Sequence, residues 1–252
     1  MATDTDTYVY GVVRAEPEPR LADEGVAGTA PRALAHGSVA AVVSDVAPEP
    51  IAPRRADLLA HVQVLQEAMT VSPVLPMRFG VVMPDDAAVV GELLEANAER
   101  LGERLDELEG LVELTLRGLY RDDAALREIL AERKDIAELR EHVRNTSEVE
   151  TYAERIQLGE LVADAVAAKR ADDTERIVGE LRPLAQEVVV NEGSHEQLAV
   201  SAAFLVRAAD VEDFDAAIGT LEEREGERIA VTYTGPLPPH SFVDLALETP
   251  VA

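Results

Sequence analysis

The strongest restriction on this chain is the order in which its hydrophobic period switches between two and about 3.6 residues. Val112 to Arg117 alternates with period two, which predicts a strand with one wet face. Asp122-Asp123 then opens helical sequence that runs, with breaks, to about Arg182, where Pro183 stops it. Glu187 to Asn191 and Gln197 to Arg207 read as two strands around a Gly193-Ser194 turn. A helix over Val211 to Glu225 and a strand over Arg228 to Thr234 follow. Strand, helices, strand, strand, helix, strand is the split βαβ, ferredoxin-like order.

The first part carries the same order with its first helix replaced by a Pro/Glu-rich loop. Thr7 to Arg14 is rich in β-branched and aromatic residues, and Arg32–His36 and Val39–Ser44 flank a Gly37-Ser38 turn. Pro48, Pro50 and Pro53 break the chain. Leu58, Leu59, Val62, Leu65 and Met69 predict a helix over 54–70, and Val74 to Val82 returns to extended structure. The fold expected is α+β: two ferredoxin-like domains, an N-terminal one over 1–84 and a C-terminal one over 85–252, the second with a long coiled-coil-like helical insertion at about 122–182. Val90, Leu94, Ala98, Leu101, Leu105 and Leu108 lie close to a heptad seam in a helix from Asp85 that Gly110 ends. Val149, Tyr152, Ile156, Ala163, Val166 and Ile177 keep a looser 3/4 spacing, and the seam's expected mate is these 149–181 helices.

Charge and composition limit function. There are 49 acidic residues against 23 basic ones, a net charge of −26, which opposes nucleic-acid and anionic-membrane partners. Lys134 and Lys169 are the only lysines. This acidity suits a high-salt cytoplasm and equally a GC-rich genome favouring Ala, Arg and Glu codons. No cysteine is present, so disulfides, thiolate metal ligands and thiol catalysis are excluded. The N-terminal residues are polar, and the longest apolar run, Leu198–Val206, is far short of the ~20 residues that span a bilayer. A soluble intracellular protein is expected.

Signatures of nucleotide, hydrolase and helical zinc sites are missing. His36, His61, His142, His195 and His240 lie on different elements, and no two share i, i+3 or i, i+4 spacing. Gly193-Ser194-His195 reads as a turn, and Asp122-Asp123 and Asp172-Asp173 as solvated helix acids. Asn145-Thr146-Ser147 matches the glycosylation acceptor pattern by chance. No cofactor, metal or small-molecule substrate is expected.

Two segments stand out. In Val74-Leu75-Pro76-Met77-Arg78-Phe79-Gly80, Pro76 argues for an edge or strand end, and Arg78 requires a carboxylate if buried. Tyr233-Thr234-Gly235-Pro236-Leu237-Pro238-Pro239-His240-Ser241-Phe242-Val243 is a stiff extended loop. It either presents Leu237, His240 and Phe242 for docking or pins the tail to the core.

With the opening Tyr8-Val9-Tyr10-Gly11-Val12-Val13, these segments resemble, in order and over nearly the whole chain, the landmarks of the gas vesicle protein F/L family. The closing motif departs from the family pattern at Leu237 and His240, where the family usually has Trp and Tyr. The resemblance implies a non-enzymatic accessory or minor structural protein of gas vesicles, found on the vesicle and in the cytoplasm. Its implied partners are the small hydrophobic shell protein and other accessory proteins, bound during early assembly as a nucleation factor or chaperone-like binder. It implies a similar architecture, an N-terminal α+β domain before a ferredoxin-like one with a helical extension. Candidate interaction residues are Leu75, Pro76, Arg78, Phe79, Gly235, Pro236, Leu237, Pro239, His240 and Phe242. The strand Val74–Val82 and the seam Val90–Leu108 are the apolar surfaces available for a partner. Two alternatives stay open: an enzyme or ligand sensor on ferredoxin-like domains, with Arg78, His240 and Ser241 as its polar set, and a scaffold that self-associates through its long helices.

Overall fold

A computed structural model describes residues 5–48, 54–193, 195 and 197–243. Pro50, Pro53 and Ser194, singled out above, lie outside the described residues. The described residues fall into two compact units. One is drawn from 1–113, 207–209 and 235–252, the other from 114–206 and 210–234.

The first unit contains β1 (Asp6–Arg14), β2 (Arg32–His36), β3 (Val39–Val46), α1 (Arg55–Met69), β4 (Val74–Pro76) and β5 (Val82–Met83). Its sheet runs β2-β3-β1-β4, with β5 also on β1, and every pairing is antiparallel. This is the ferredoxin-like strand order, with the 3-10 turn Val26–Gly28 where the first helix would stand. His36 pairs with Val39 across a two-residue turn, and Gly37, at φ 59°, supplies the left-handed conformation such a turn needs. Pro76 sits on the edge, where a missing N–H costs no ladder bond. The expected extended run 74–82 is broken: three residues pair with β1, the chain turns out, and two more pair beyond it.

β1 is buried on both faces, from Thr7 to Val13, so the sheet is covered twice. His61, Val64, Leu65 and Ala68 of α1 cover one face, packing with Tyr8, Tyr10, Val13, Val42 and Val74. The helix therefore buries a face rotated from the expected one, and Leu58 and Leu59 remain exposed. The helical run after Asp85 packs against β1, β3 and β4. It is not the continuous helix expected. Asp85 caps Ala88, and α2 (Asp86–Ala88) passes into a π-helical turn at Val89–Leu94. A 3-10 turn at Glu95–Asn97 follows, and α3 (Ala98–Glu107) resumes after Asn97 leaves the helical region. The offset brings Val89, Leu93, Leu94, Leu101, Leu105 and Leu108 into the core. The seam thus finds a mate in the first unit's own sheet, where the sequence suggested the 149–181 helices. For the same reason this unit extends past residue 84, where the sequence suggested a boundary.

The second unit holds β6 (Leu111–Tyr120), α4 (Ala124–Glu132), α5 (Lys134–Asn145), α6 (Tyr152–Leu181), β7 (Glu187–Val190), β8 (Leu198–Arg207), α7 (Val211–Glu225) and β9 (Ile229–Leu237). The unit boundaries fall inside β6 and β9. The sheet order β7-β8-β6-β9 repeats that of the first sheet. Gly118 lies so close to Ile229 and Val200 that a Cβ would come within 2.8 and 2.9 Å of their side chains. Phe204 and Phe214 meet edge to face at 5.1 Å, and Tyr233 stacks on Phe214.

A buried ionic network ties α4, α6, α7, β6 and the start of β9 together. Arg228 donates to both carboxylate oxygens of Asp173, at 2.9 and 2.6 Å, and to both of Glu128, at 2.5 and 3.0 Å. Tyr120 Oη donates to Asp173 at 2.6 Å, and Arg176 bridges Asp173 and Glu225. Asp173, read from sequence as a solvated helix acid, is 5% exposed. Burial alone would raise its pKa, but the hydrogen bonds from Arg228, Tyr120 and Arg176 outweigh that and hold it below the ordinary carboxylate value.

Candidate interaction site

The first unit brings the three conspicuous sequence segments to one place, and His61 is their junction. β1 carries Tyr8 and Tyr10 onto the α1 face. A register shift between Val9 and Gly11 lets two residues oppose one on β3, and Gly11 has no Cβ because one would lie 2.7 Å from the Leu75 carbonyl. Met77 N–H donates to the Tyr10 carbonyl at 2.8 Å, which holds the central segment against the opening one.

His61 is 3% exposed. Its Nε2 lies 3.2 Å from the Met77 carbonyl and its Nδ1 2.8 Å from Tyr8 Oη. A carbonyl only accepts, so Nε2 carries the proton and Nδ1 accepts from the tyrosine. Tyr8 Oη in turn accepts from Gly80 N–H at 3.1 Å. Tyr10 Oη accepts from Val26 N–H at 2.7 Å and pairs with Ser44 Oγ. Tyr10 stacks on His61 at 5.5 Å, and Tyr8 and Phe79 approach the imidazole edge-on at 5.8 Å each. The closing segment completes the cluster with the His240 ring 6.2 Å from that of His61.

Burial, with His240 as a second cause, pulls the His61 pKa down to about 4, so the ring is neutral near pH 7. Burial pushes both tyrosine hydroxyls up. Both ring nitrogens of His61 are occupied by hydrogen bonds, so this ring fastens the opening and central segments to α1. Among the described residues no group of three or more His, Asp or Glu side chains is placed to hold a metal ion.

The closing segment is pinned by its own contacts. Glu113, 5% exposed, accepts from Ser241 N–H at 2.7 Å and from Ser241 Oγ at 2.8 Å. Arg104 donates to the Phe242 carbonyl at 3.0 Å. Phe242 and Pro239 are buried and Leu237 is half-buried, while Gly235, Pro236 and His240 are exposed. Leu75 and Pro76 are buried, Phe79 is half-buried, and Arg78 is exposed, so the condition for a buried partner does not arise. The accessible part of the candidate set is therefore Arg78, Gly235, Pro236 and His240, and of these His240 lies against the His61 ring. His240 is open by surface area, yet the atoms packed beside it still lower its pKa.

Of the polar set considered for a ligand sensor, Ser241 binds Glu113 and His240 lies over His61. None of the three lines the cavity of about 520 Å³ in the second unit, between Ala167–Glu175 of α6 and β7–β8. His61 itself escaped the sequence reading, although its spacing from Leu65 and Ala68 is that of a helix face.

The family model described as gas vesicle synthesis protein GvpL/GvpF matches residues 6–244. A gas vesicle protein F from a Streptomyces species is 38% identical over 94% of this chain and 99% of its own length. A gas vesicle protein L from a Streptomyces species is 29% identical over 98% of this chain and 96% of its own. The crystal structure of GvpF from an Anabaena species superposes with a TM-score of 0.81 at 23% identity, over 96% of this chain and 99% of that one. That of GvpF from Microcystis aeruginosa gives 0.79 at 21% identity, over 95% and 99%.

Proposed function

Because the chain belongs to the GvpL/GvpF family of gas vesicle synthesis proteins, we propose that it serves gas vesicle assembly by binding the small hydrophobic shell protein and other accessory proteins. The observation that carries this reading is the convergence of the opening, central and closing motifs on His61, with His240 accessible beside it and Arg78 exposed between Met77 and Phe79. A shell whose inner side must repel water exposes apolar surface before it closes, and such surfaces aggregate. A binder with a net charge of −26 keeps the bound subunit in solution. The work asked of the protein is holding, not turnover. The reading assigns it to the gas vesicle, as a minor component, and to the cytoplasm; among the described residues no helix is long and apolar enough to cross a membrane.

The test is co-purification of the small shell protein with the wild type and with an Arg78→Glu/His240→Glu variant. The wild type retains the shell protein; the variant, folded by circular dichroism, loses at least about tenfold of it. Normal vesicles in a deletion strain, together with no retention by the wild type, would refute the proposal.

A further inference from the structure

The helical part of the second unit leaves one apolar stripe uncovered. Val149, in the turn before α6, is 90% exposed, Tyr152 is 71% and Ile156 49%. Tyr152 and Ile156, four residues apart, share one face of α6, Gly159 continues it with no atom near its missing Cβ, and Val149 stands in the turn that leads into it. The sequence pattern gave these residues a buried seam, yet α6 buries Asp173, Ile177, Val178 and Leu181 at its other end.

The rim around the stripe says what fits it. Glu148 and Glu150 flank Val149 in the chain, Glu160 lies one turn after Ile156, and the one cation of 146–160 is Arg155. Arg155 is exposed, but its guanidinium is engaged within the chain, donating to the Val143 carbonyl at 3.2 Å and to Thr151 Oγ1 at 3.3 Å. A second copy of this chain would bring the same glutamates against these, a repulsive arrangement. We infer that this stripe docks a basic amphipathic helix of another protein, its apolar residues at i, i+3 and i+7 on Val149, Tyr152 and Ile156 and its Lys or Arg side chains over the glutamates. The inference goes beyond the family reading. It concerns a different unit from the His61 cluster and is tested without any vesicle protein.

The probe is a synthetic peptide of about five helical turns with leucines on one face, lysines on the other and one tryptophan. The chain contains no Trp, so peptide fluorescence anisotropy is read without background. The full chain is titrated as wild type, as Val149→Asp/Ile156→Asp, and as Tyr152→Ser. The double variant is more acidic but less apolar, which separates docking from general attraction to a polyanion. Binding weakened at least about tenfold in both variants, with unchanged circular dichroism, supports the site. If the double variant misfolds, Tyr152→Ser alone decides. Equal or tighter binding by a folded variant overturns it. So does equal binding of a peptide with glutamates for lysines, and so does a wild type that sediments as a dimer while a variant is monomeric.

Discussion

Replacing Arg228 by methionine removes the cation at the centre of the second unit's network and keeps most of its aliphatic bulk. Two pairs are lost. The one with Glu128, whose side chain is 31% exposed, is worth at most about 1 kcal/mol. The one with Asp173, whose side chain is 7% exposed, is different, because removing one member of a buried pair costs about 3–5 kcal/mol. Asp173 still keeps Tyr120 and Arg176, and Glu128 keeps Lys169 at 2.8 Å, so the low end applies. The expected loss is about 3 kcal/mol. With a urea slope of about 3 kcal/mol per molar, the unfolding midpoint followed by circular dichroism falls by about 1 M at neutral pH. The sign with pH follows from Asp173, whose pKa is held down in the fold. Its stabilisation is complete above the unfolded carboxylate value of about 4 and is lost as pH falls through the lower folded value. The gap between wild type and variant therefore narrows in acid. A midpoint shift below about 0.2 M, or a gap that does not depend on pH, would show that the network is solvated and refute the reasoning.

His61→Phe tests the motif junction. The ordinary histidine value is 6.5 and the folded one about 4, so wild-type stability falls as pH drops across that window, by up to about 3 kcal/mol. The variant loses this slope, and an unchanged slope in its urea midpoints would contradict the buried neutral ring. Gly11→Ala forces a Cβ to within 2.7 Å of the Leu75 carbonyl, and thermal unfolding should record a loss of about 1–3 kcal/mol. Ser241→Ala removes one hydroxyl donor from Glu113, for about 1 kcal/mol, and should speed proteolysis after Leu237.

Element order was legible because each switch of period is local. The α7 helix runs from Val211 to Glu225, as its spacing and Gly226 require, and Pro76 lies at a sheet edge for the reason its missing N–H gives. What failed was the choice of partner. The 90–108 seam is a correct apolar pattern, but periodicity does not say which surface it meets, and the break at Asn97 has no strong local signal. The same limit hid the site. His61 reads as one scattered histidine until Tyr8, 53 residues earlier, and Met77, 16 later, fold onto it. Asp173 reads as a solvated acid because Arg228 stands 55 residues away. The stripe at Val149, Tyr152 and Ile156 was visible as a pattern, and only the fold shows that among the described residues it stays exposed.

The Ser241–Glu113 contact spans 128 residues. On the ribosome, the first unit's sheet and helices emerge long before the tract that closes it. That unit completes only after the whole intervening second unit has been translated. A nascent product released ahead of residue 235 would carry the first sheet without Ser241's two donors or Phe242's apolar plug. Closure of the early unit therefore waits on the last described segment to be made.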